Sequence, residues 1–181
     1  DDREWQAWLD LDACEVVSLE ESGHILQKKK ALVIPSRWVR TNKNEGIPEG
    51  EFEAKSRLVV QGFRDKSLGL YRRDAPTASK LAEALVLLVI ASTGMVMSCG
   101  DIKNAYFSGL DMEREVYLSQ PPGGLRGLHP RQLLRAKKAI YGFAEAARLF
   151  WLAFCRALES DGWTQSVLEP ALFYLRDKDD K

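Results

Sequence analysis

Two stretches of β-favouring residues, separated by a turn-forming segment, constrain the fold of this chain most. Residues 31–41 are rich in valine, isoleucine and tryptophan, and residues 54–63 contain the block Leu58-Val59-Val60. Residues 42–50 between them are rich in the turn formers asparagine, glycine and proline. The sequence therefore predicts a two-stranded hairpin that carries several arginine and lysine side chains.

Three other segments have the spacing of helices. Apolar residues recur at helical intervals in residues 4–14, which predicts a short amphipathic helix. Residues 79–92 open with a serine that can cap a helix and are followed by Gly94, which can close it. Because apolar residues surround the axis of this helix, we expect it to be buried. An amphipathic stripe over residues 144–160, followed by Gly162, predicts a third helix.

Short strands are predicted between and after these helices. Residues 95–101 have the composition of a short buried strand, and a helical turn follows it around Ala105. Residues 116–118 are typical of an edge strand, and residues 171–175 form a last strand. Strands and helices mix without the regular repeat of a parallel α/β fold, so the predicted fold class is α+β.

Composition excludes several classes of protein. A chain of 181 residues that is 45% hydrophobic can bury one core, and its longest apolar run, residues 84–91, is shorter than the roughly 18 residues that span a membrane. Its three cysteines are scattered and lack metal-clip spacing with each other or with its two histidines. We therefore expect an intracellular protein, cytoplasmic or nuclear, that is not secreted and has reduced thiols and no zinc. Because it opens on Asp1, we expect it to be a piece of a longer product.

The distribution of charge says more than the net charge, which is zero. Residues 28–73 hold twelve basic and five acidic residues, and 12 minus 5 gives a local charge of +7. Such a segment suggests a surface that faces a polyanion, although charge runs of this kind are more often solvated faces.

Four residues could carry chemistry, and each also has a purely structural explanation. Asp101 follows a predicted strand, where a carboxylate can reach a cation or can cap the next helical turn. Lys55 and Arg57 alternate on one strand and share a face, which could grip phosphates or be a solvated strand edge. Tyr106 could be a core aromatic.

Several motifs follow one another in a fixed order along practically the whole chain. They are Trp5, Arg37-Trp38-Val39, Lys55-Ser56-Arg57-Leu58-Val59-Val60-Gln61-Gly62-Phe63, Ala75-Pro76-Thr77, Asp101-Ile102-Lys103-Asn104-Ala105-Tyr106-Phe107-Ser108-Gly109, Glu115-Val116-Tyr117-Leu118-Ser119-Gln120-Pro121-Pro122-Gly123, Ile140-Tyr141-Gly142-Phe143 with Arg148, and Glu169-Pro170-Ala171-Leu172-Phe173. In this order they resemble the reverse transcriptases of copia-type retrotransposons, which are RNA-dependent DNA polymerases.

The resemblance implies the fingers and palm of a right-hand polymerase. It implies a single incomplete reverse transcriptase domain over residues 1–181, with residues 1–94 mainly fingers and residues 95–181 mainly partial palm with a return to the fingers. The family's aromatic-x-Asp-Asp hairpin should follow residues 171–175, so we expect the chain to be truncated before it. We expect Asp179-Asp180, which lack a preceding aromatic residue, not to be catalytic.

The resemblance also implies roles for individual residues. Asp101 would be the first of three catalytic carboxylates, and the carbonyl of Ile102 would help to hold a metal. Tyr106 would be the aromatic gate beneath the sugar that rejects a 2′-hydroxyl. Lys55 and Arg57 would contact the incoming triphosphate.

Three further residues would line the nucleotide side of the same pocket by this resemblance: Gly142, Glu145 and Arg148. This chain has Ala-Glu-Ala-Ala at residues 144–147, where the family has Lys-Gln-Ala-Pro. Glu145 would thus place negative charge near a triphosphate and lower the electrostatic complementarity.

The implied activity is nucleotidyl transfer with two Mg²⁺ ions on an RNA template and a DNA primer, with deoxynucleoside triphosphates as substrates. The implied partners are the remaining polyprotein domains, namely the rest of the palm, the thumb, RNase H and integrase, and no membrane. With one of three carboxylates, the chain by itself is predicted to be inactive and not to bind the ions stably. The alternative is a decayed, non-catalytic remnant that still binds nucleic acid.

Overall fold

A five-stranded mixed sheet forms the centre of the computed structural model, which describes residues 1–176. Its strands are β1 Cys14–Val16, β2 Val33–Asn42, β3 Ala54–Val60, β4 Tyr117–Ser119 and β5 Leu133–Ala136. They lie in the order β1-β5-β4-β2-β3, and only β2 and β4 run parallel. A second, antiparallel sheet pairs β6 Thr164–Gln165 with β7 Phe173–Tyr174.

Within residues 1–176, four α-helices accompany these sheets: α1 Asp2–Asp10, α2 Leu19–Lys28, α3 Lys80–Thr93 and α4 Ala146–Ser160. Short 3-10 turns at Lys30–Leu32, Gly62–Arg64 and Ala105–Ser108 link other elements. No helix within residues 1–176 is long and apolar enough to cross a membrane.

The main core lies where α1 packs against the sheet. Trp8 of α1, Leu58 of β3 and Leu118 of β4 are each fully buried in it, together with Ile140 from the segment before α4. Burial of such side chains contributes about 1.5–3 kcal/mol each. The core thereby fixes β3 and the segment around residue 140 against each other.

The predicted α+β class and the hairpin are confirmed. Strands β2 and β3 pair antiparallel from Ser36 opposite Val60 to Asn42 opposite Ala54. The predicted N-cap is also present, because the side chain of Ser79 accepts a hydrogen bond from the amide of Ala82.

Three predictions about residues 79–118 were wrong. Helix α3 is exposed rather than buried, with Leu81 70% and Leu88 64% exposed. Residues 95–101 form no strand, and Val96 is 93% exposed. Strand β4 is not at an edge, since it pairs with β2 on one side and β5 on the other.

Some elements were missed or misplaced. Helix α1 ends at Asp10, and Cys14, which was predicted to end that helix, begins β1. Helix α2 and strands β1, β5 and β6 were not predicted. The acidic pair at residues 179–180 lies outside the described residues.

Candidate active site

An open cleft of about 840 Å³ lies between β3, the segment around residues 101–106 and α4. Its floor and walls are mixed, with aromatic side chains from α4 and polar side chains from the other two segments. Five of the eight predicted site residues line it, namely Lys55, Arg57, Asp101, Ile102 and Tyr106. The cleft thus brings together residues that are far apart in the sequence.

Two cations of the cleft, Lys55 and Arg57, come from one face of β3. Leu58 and Val60 point into the core, so strand alternation turns Lys55 and Arg57 to the opposite, exposed face. Within residues 1–176, neither cation forms an ion pair. Both are therefore free to meet an anionic ligand.

The proposed metal ligands of the cleft, Asp101 and Ile102, lie on an irregular, exposed segment. Asp101 and Ile102 precede Asn104, whose left-handed conformation (φ 53°) turns the chain into the 3-10 turn Ala105–Ser108. Asn104 occupies the cap position of that turn, so Asp101 does not serve as its cap. The carboxylate of Asp101 stands at the cleft, where a cation could meet it.

Tyr106 and Tyr141 form an aromatic wall. Their ring centroids are 4.8 Å apart at an interplanar angle of 66°, an edge-to-face contact. Tyr106 is half-buried at the cleft, whereas its neighbour Phe107 is buried in the core. Tyr106 thus contributes both to the packing and to the cleft surface.

Gly142 does not line the cleft but sets a close contact behind it. Its φ is 103°, and a Cβ built on it would lie 1.9 Å from the carbonyl oxygen of Val60. The amide of Val60 donates to the carbonyl oxygen of Tyr141 at 2.8 Å. Glycine is therefore required here for backbone packing of β3 on the segment around residue 141.

Glu145 is also absent from the cleft lining. Its carboxylate is buried and accepts a hydrogen bond from Nε of Arg114 at 2.7 Å, and Arg114 also pairs with Asp65 at 2.5 Å. Burial alone would lower the pKa of Arg114, but its hydrogen bonds to the two carboxylates raise it. The negative charge of Glu145 is thus directed to Arg114 rather than to the cleft.

Arg148 contacts a loop beside the cleft. Its Nη1 lies 2.7 Å from a carboxylate oxygen of Asp74 and 3.2 Å from the carbonyl oxygen of that residue. The pKa of Asp74 is lowered, first by its hydrogen bond from Arg72 and also by Arg148. Arg148 thereby anchors the start of residues 75–77, which line the cleft.

Sequence reasoning missed other cleft residues, among them Glu4, Lys103 and Tyr141. Burial raises the pKa of the Tyr141 phenol, and nearby Arg57 opposes this shift. The position of Tyr141 directly before Gly142 in the motif Ile140-Tyr141-Gly142-Phe143 could have indicated that it lines the cleft.

The donor set of the cleft is suited to a hard cation only in part. A carboxylate and a backbone carbonyl are oxygen ligands of the kind that Mg²⁺ prefers. Within residues 1–176, however, no three acidic, histidine or cysteine side chains are grouped so that they could hold a metal ion. Asp101 and Ile102 could supply part of a coordination shell.

Comparisons with known proteins give one consistent result. A family model described as "Reverse transcriptase (RNA-dependent DNA polymerase)" matches residues 24–181. The retrovirus-related Pol polyprotein from transposon RE2 of Arabidopsis thaliana is 29% identical over 146 residues, which is 80% of this chain and 10% of that protein. The corresponding polyprotein from transposon TNT 1-94 of Nicotiana tabacum is 25% identical over 166 residues, 90% of this chain and 12% of that protein.

The chain spans about a tenth of the length of these curated relatives. No solved structure gives a significant match.

Proposed function

This chain belongs to the reverse transcriptase (RNA-dependent DNA polymerase) family, and on that basis we propose that its cleft binds the incoming deoxynucleoside triphosphate of a retrotransposon polymerase. The observation that carries the proposal is the meeting of Lys55 and Arg57 with the carboxylate of Asp101 and an aromatic wall in one cleft. These groups match the triphosphate, the metal and the sugar of a nucleotide in turn.

Lys55 and Arg57 would bind the triphosphate. They stand on one exposed strand face with no carboxylate partner among the described residues, so a phosphate does not have to displace an existing ion pair. The guanidinium can form two parallel hydrogen bonds to phosphate oxygens, and the lysine adds a point charge.

Asp101 and the carbonyl of Ile102 would contribute ligands to Mg²⁺. Two such ions, when bound, help to activate the primer hydroxyl and neutralise the charge on the transferred phosphoryl group. The other ligands would come from elsewhere in the polyprotein. Asp101 would place its carboxylate at the open end of a segment that no strand restrains.

Tyr106 would lie beneath the sugar and disfavour a 2′-hydroxyl. The edge-to-face contact with Tyr141 fixes the tilt of its ring, which a gate of this kind needs. Direct nucleotide contacts of Gly142, Glu145 and Arg148 remain predictions. In the described structure these three residues contact other parts of the protein instead.

In this proposal the chain acts within a Pol polyprotein inside the cell. Residues 1–94 would be mainly fingers and residues 95–181 mainly palm of a right-hand polymerase, with the rest of the palm, the thumb, RNase H and integrase in the same polyprotein. RNA template and DNA primer would be held mostly through their backbones.

A second candidate is a non-catalytic remnant that retains only nucleic-acid binding. The departure from the family at residues 144–147, where this chain has Ala-Glu-Ala-Ala in place of Lys-Gln-Ala-Pro, favours it. The two candidates differ in one measurable property. The remnant would bind single-stranded nucleic acid with a strong salt dependence but would not bind a deoxynucleoside triphosphate in its cleft.

The test is binding of a fluorescent deoxynucleoside triphosphate, with and without Mg²⁺, to the 181-residue chain and to Lys55→Met and Arg57→Met. Each cation should contribute a charge-assisted contact, so each substitution should weaken binding about 10- to 100-fold. Arg126→Met is the matched control, because Arg126 is a surface arginine that does not line this cleft. Equal affinities for all four proteins would refute the proposed phosphate site.

A further inference from the structure

Tyr141 lies between two of the proposed nucleotide-binding residues. Its ring centroid is 5.5 Å from the guanidinium carbon of Arg57 and 4.8 Å from the ring of Tyr106. All three side chains line the same cleft. One aromatic ring thus touches both the proposed phosphate-binding group and the proposed sugar-binding group.

The backbone, rather than the phenol hydroxyl, fixes this ring. The carbonyl of Tyr141 accepts a hydrogen bond from the amide of Val60, and Gly142 packs directly on the carbonyl of Val60. Within residues 1–176 the hydroxyl of Tyr141 forms no side-chain hydrogen bond. The guanidinium of Arg57 lies over the face of the ring, and the rings of Tyr106 and Phe107 meet it edge-to-face. The π face is therefore the functional part of the side chain.

Arg57 needs such a fixed neighbour. On an exposed strand face without a carboxylate partner, an arginine samples many rotamers and loses that freedom when it binds a ligand. A cation held over an aromatic face is already restricted before the ligand arrives. Lys55, two residues away on the same face, has no such aromatic contact among the described residues.

We propose that Tyr141 is a positioning residue that holds the guanidinium of Arg57 in the cleft, ready for the triphosphate of a nucleotide. The inference rests on the proposed function and adds a residue to it. Tyr141 acts through Arg57 and does not itself contact the phosphates. The hydroxyl contributes nothing to this role, and Lys55 does not depend on it.

The experiment is a double-mutant cycle on triphosphate binding. Tyr141→Met keeps an apolar side chain, although a smaller one, and removes the π face. Tyr141→Phe is the matched control that removes the hydroxyl alone. Tyr141→Met should weaken binding about two- to fivefold, the size of a partly exposed cation–π contact, and Tyr141→Phe should leave it unchanged. In the Arg57→Met background, Tyr141→Met should have no further effect, whereas in the Lys55→Met background it should keep its full effect.

A merely structural role for Tyr141 would give equal losses in both backgrounds, and that result overturns the inference. If the wild-type chain binds triphosphate and Arg57→Met weakens binding while Tyr141→Met does not, only this inference fails. If the wild-type chain binds no triphosphate, the proposed function fails and the inference with it.

A second measurement leaves Tyr141 unsubstituted, and so it does not depend on the folding of a Tyr141 variant. The NMR resonances of the Tyr141 ring should shift in Arg57→Met, which removes the cation over the ring, and not in Lys55→Met. Identical ring resonances in the wild-type chain and Arg57→Met would overturn the inference.

Discussion

Replacing Arg114 by methionine should be among the most destabilising single substitutions in this protein. The Arg114 side chain lies between the carboxylates of Asp65 and Glu145, and these three side chains are 10%, 7% and 9% exposed. Arg114→Met keeps much of the apolar volume but leaves two buried carboxylates without a cation. We expect the free energy of unfolding to fall by about 3–5 kcal/mol, as for other broken buried ion pairs.

The structure supports a value in the upper part of that range. Arg114 donates to both carboxylates, at 2.5 and 2.7 Å, so the substitution removes more than one charge-assisted hydrogen bond. Its guanidinium carbon also lies 4.6 Å from the ring centroid of Tyr71 and 5.6 Å from that of Phe143. A loss of this size is a large share of the roughly 5–15 kcal/mol that stabilises a domain.

A second substitution, Glu145→Gln, tests the charge argument separately from packing, through the direction in which it changes stability. Glu145→Gln alone leaves Arg114 paired with Asp65, a neutral pair, and should cost less than Arg114→Met. Added to Arg114→Met, the same change removes one uncompensated buried charge. The double variant should therefore be more stable than Arg114→Met alone.

The assay is urea unfolding followed by tryptophan fluorescence and circular dichroism. Arg126→Met is the control, because Arg126 and its partner Asp2 are 81% and 68% exposed and such pairs contribute at most about 1 kcal/mol. If Arg114→Met costs no more than this control, or if Glu145→Gln destabilises the Arg114→Met protein further, the reasoning is refuted.

Three further predictions concern other regions. Gly142→Ala should lower the unfolding free energy by at least about 1–3 kcal/mol, because its φ is 103° and a Cβ would meet backbone, and a urea midpoint equal to wild type would contradict this. A thiol reagent at neutral pH should modify the exposed Cys99 and leave the two buried thiols unmodified. Burial raises the pKa of one of them, Cys14, to about 12. More than one modified thiol by mass spectrometry would contradict this prediction. The hydrogen bond from Lys29 lowers the pKa of Glu115, so Lys29→Met should cost about 0.2–1 kcal/mol above pH 4.5. That difference should vanish as the pH falls below that value, and a difference independent of pH in urea melts would contradict the assignment.

The elements that could be predicted are those with strong local signals. The hairpin combines β-favouring residues with a turn, and Ser79 and Gly94 mark both ends of α3. Helix α2 carries a signal of the same kind that was overlooked, since Ser18 accepts from the amide of Glu21 in a capping motif.

The elements that could not be predicted depend on distant partners. An apolar helix such as α3 indicates a preference for an apolar environment, and not which residues provide it. A short strand such as β4 takes its central place from β2 and β5, neither of which its own three residues specify. Residues 95–101 show the converse, because β-favouring composition without a paired neighbour does not make a strand.

The predicted site likewise contains residues whose placement follows from local sequence and residues whose placement depends on distant partners. Spacing along β3 correctly placed Lys55 and Arg57 on one face, because alternation is a local property of a strand. The placement of Glu145 depends on Arg114, 31 residues earlier in the chain, and nothing in the local sequence indicates that pairing.

The close backbone contact between β3 and Gly142 also limits how this protein can move. Val60 is hydrogen-bonded to the backbone of Tyr141 and in close backbone contact with Gly142. Strand β3, which carries Arg57, and the ring of Tyr141 beneath that cation must therefore move together. The ring of Tyr106 contacts the ring of Tyr141 edge-to-face, and such a contact contributes only about 0.5–1.5 kcal/mol. If the cleft widens to admit or release a ligand, the contact between the rings of Tyr106 and Tyr141 should be lost first.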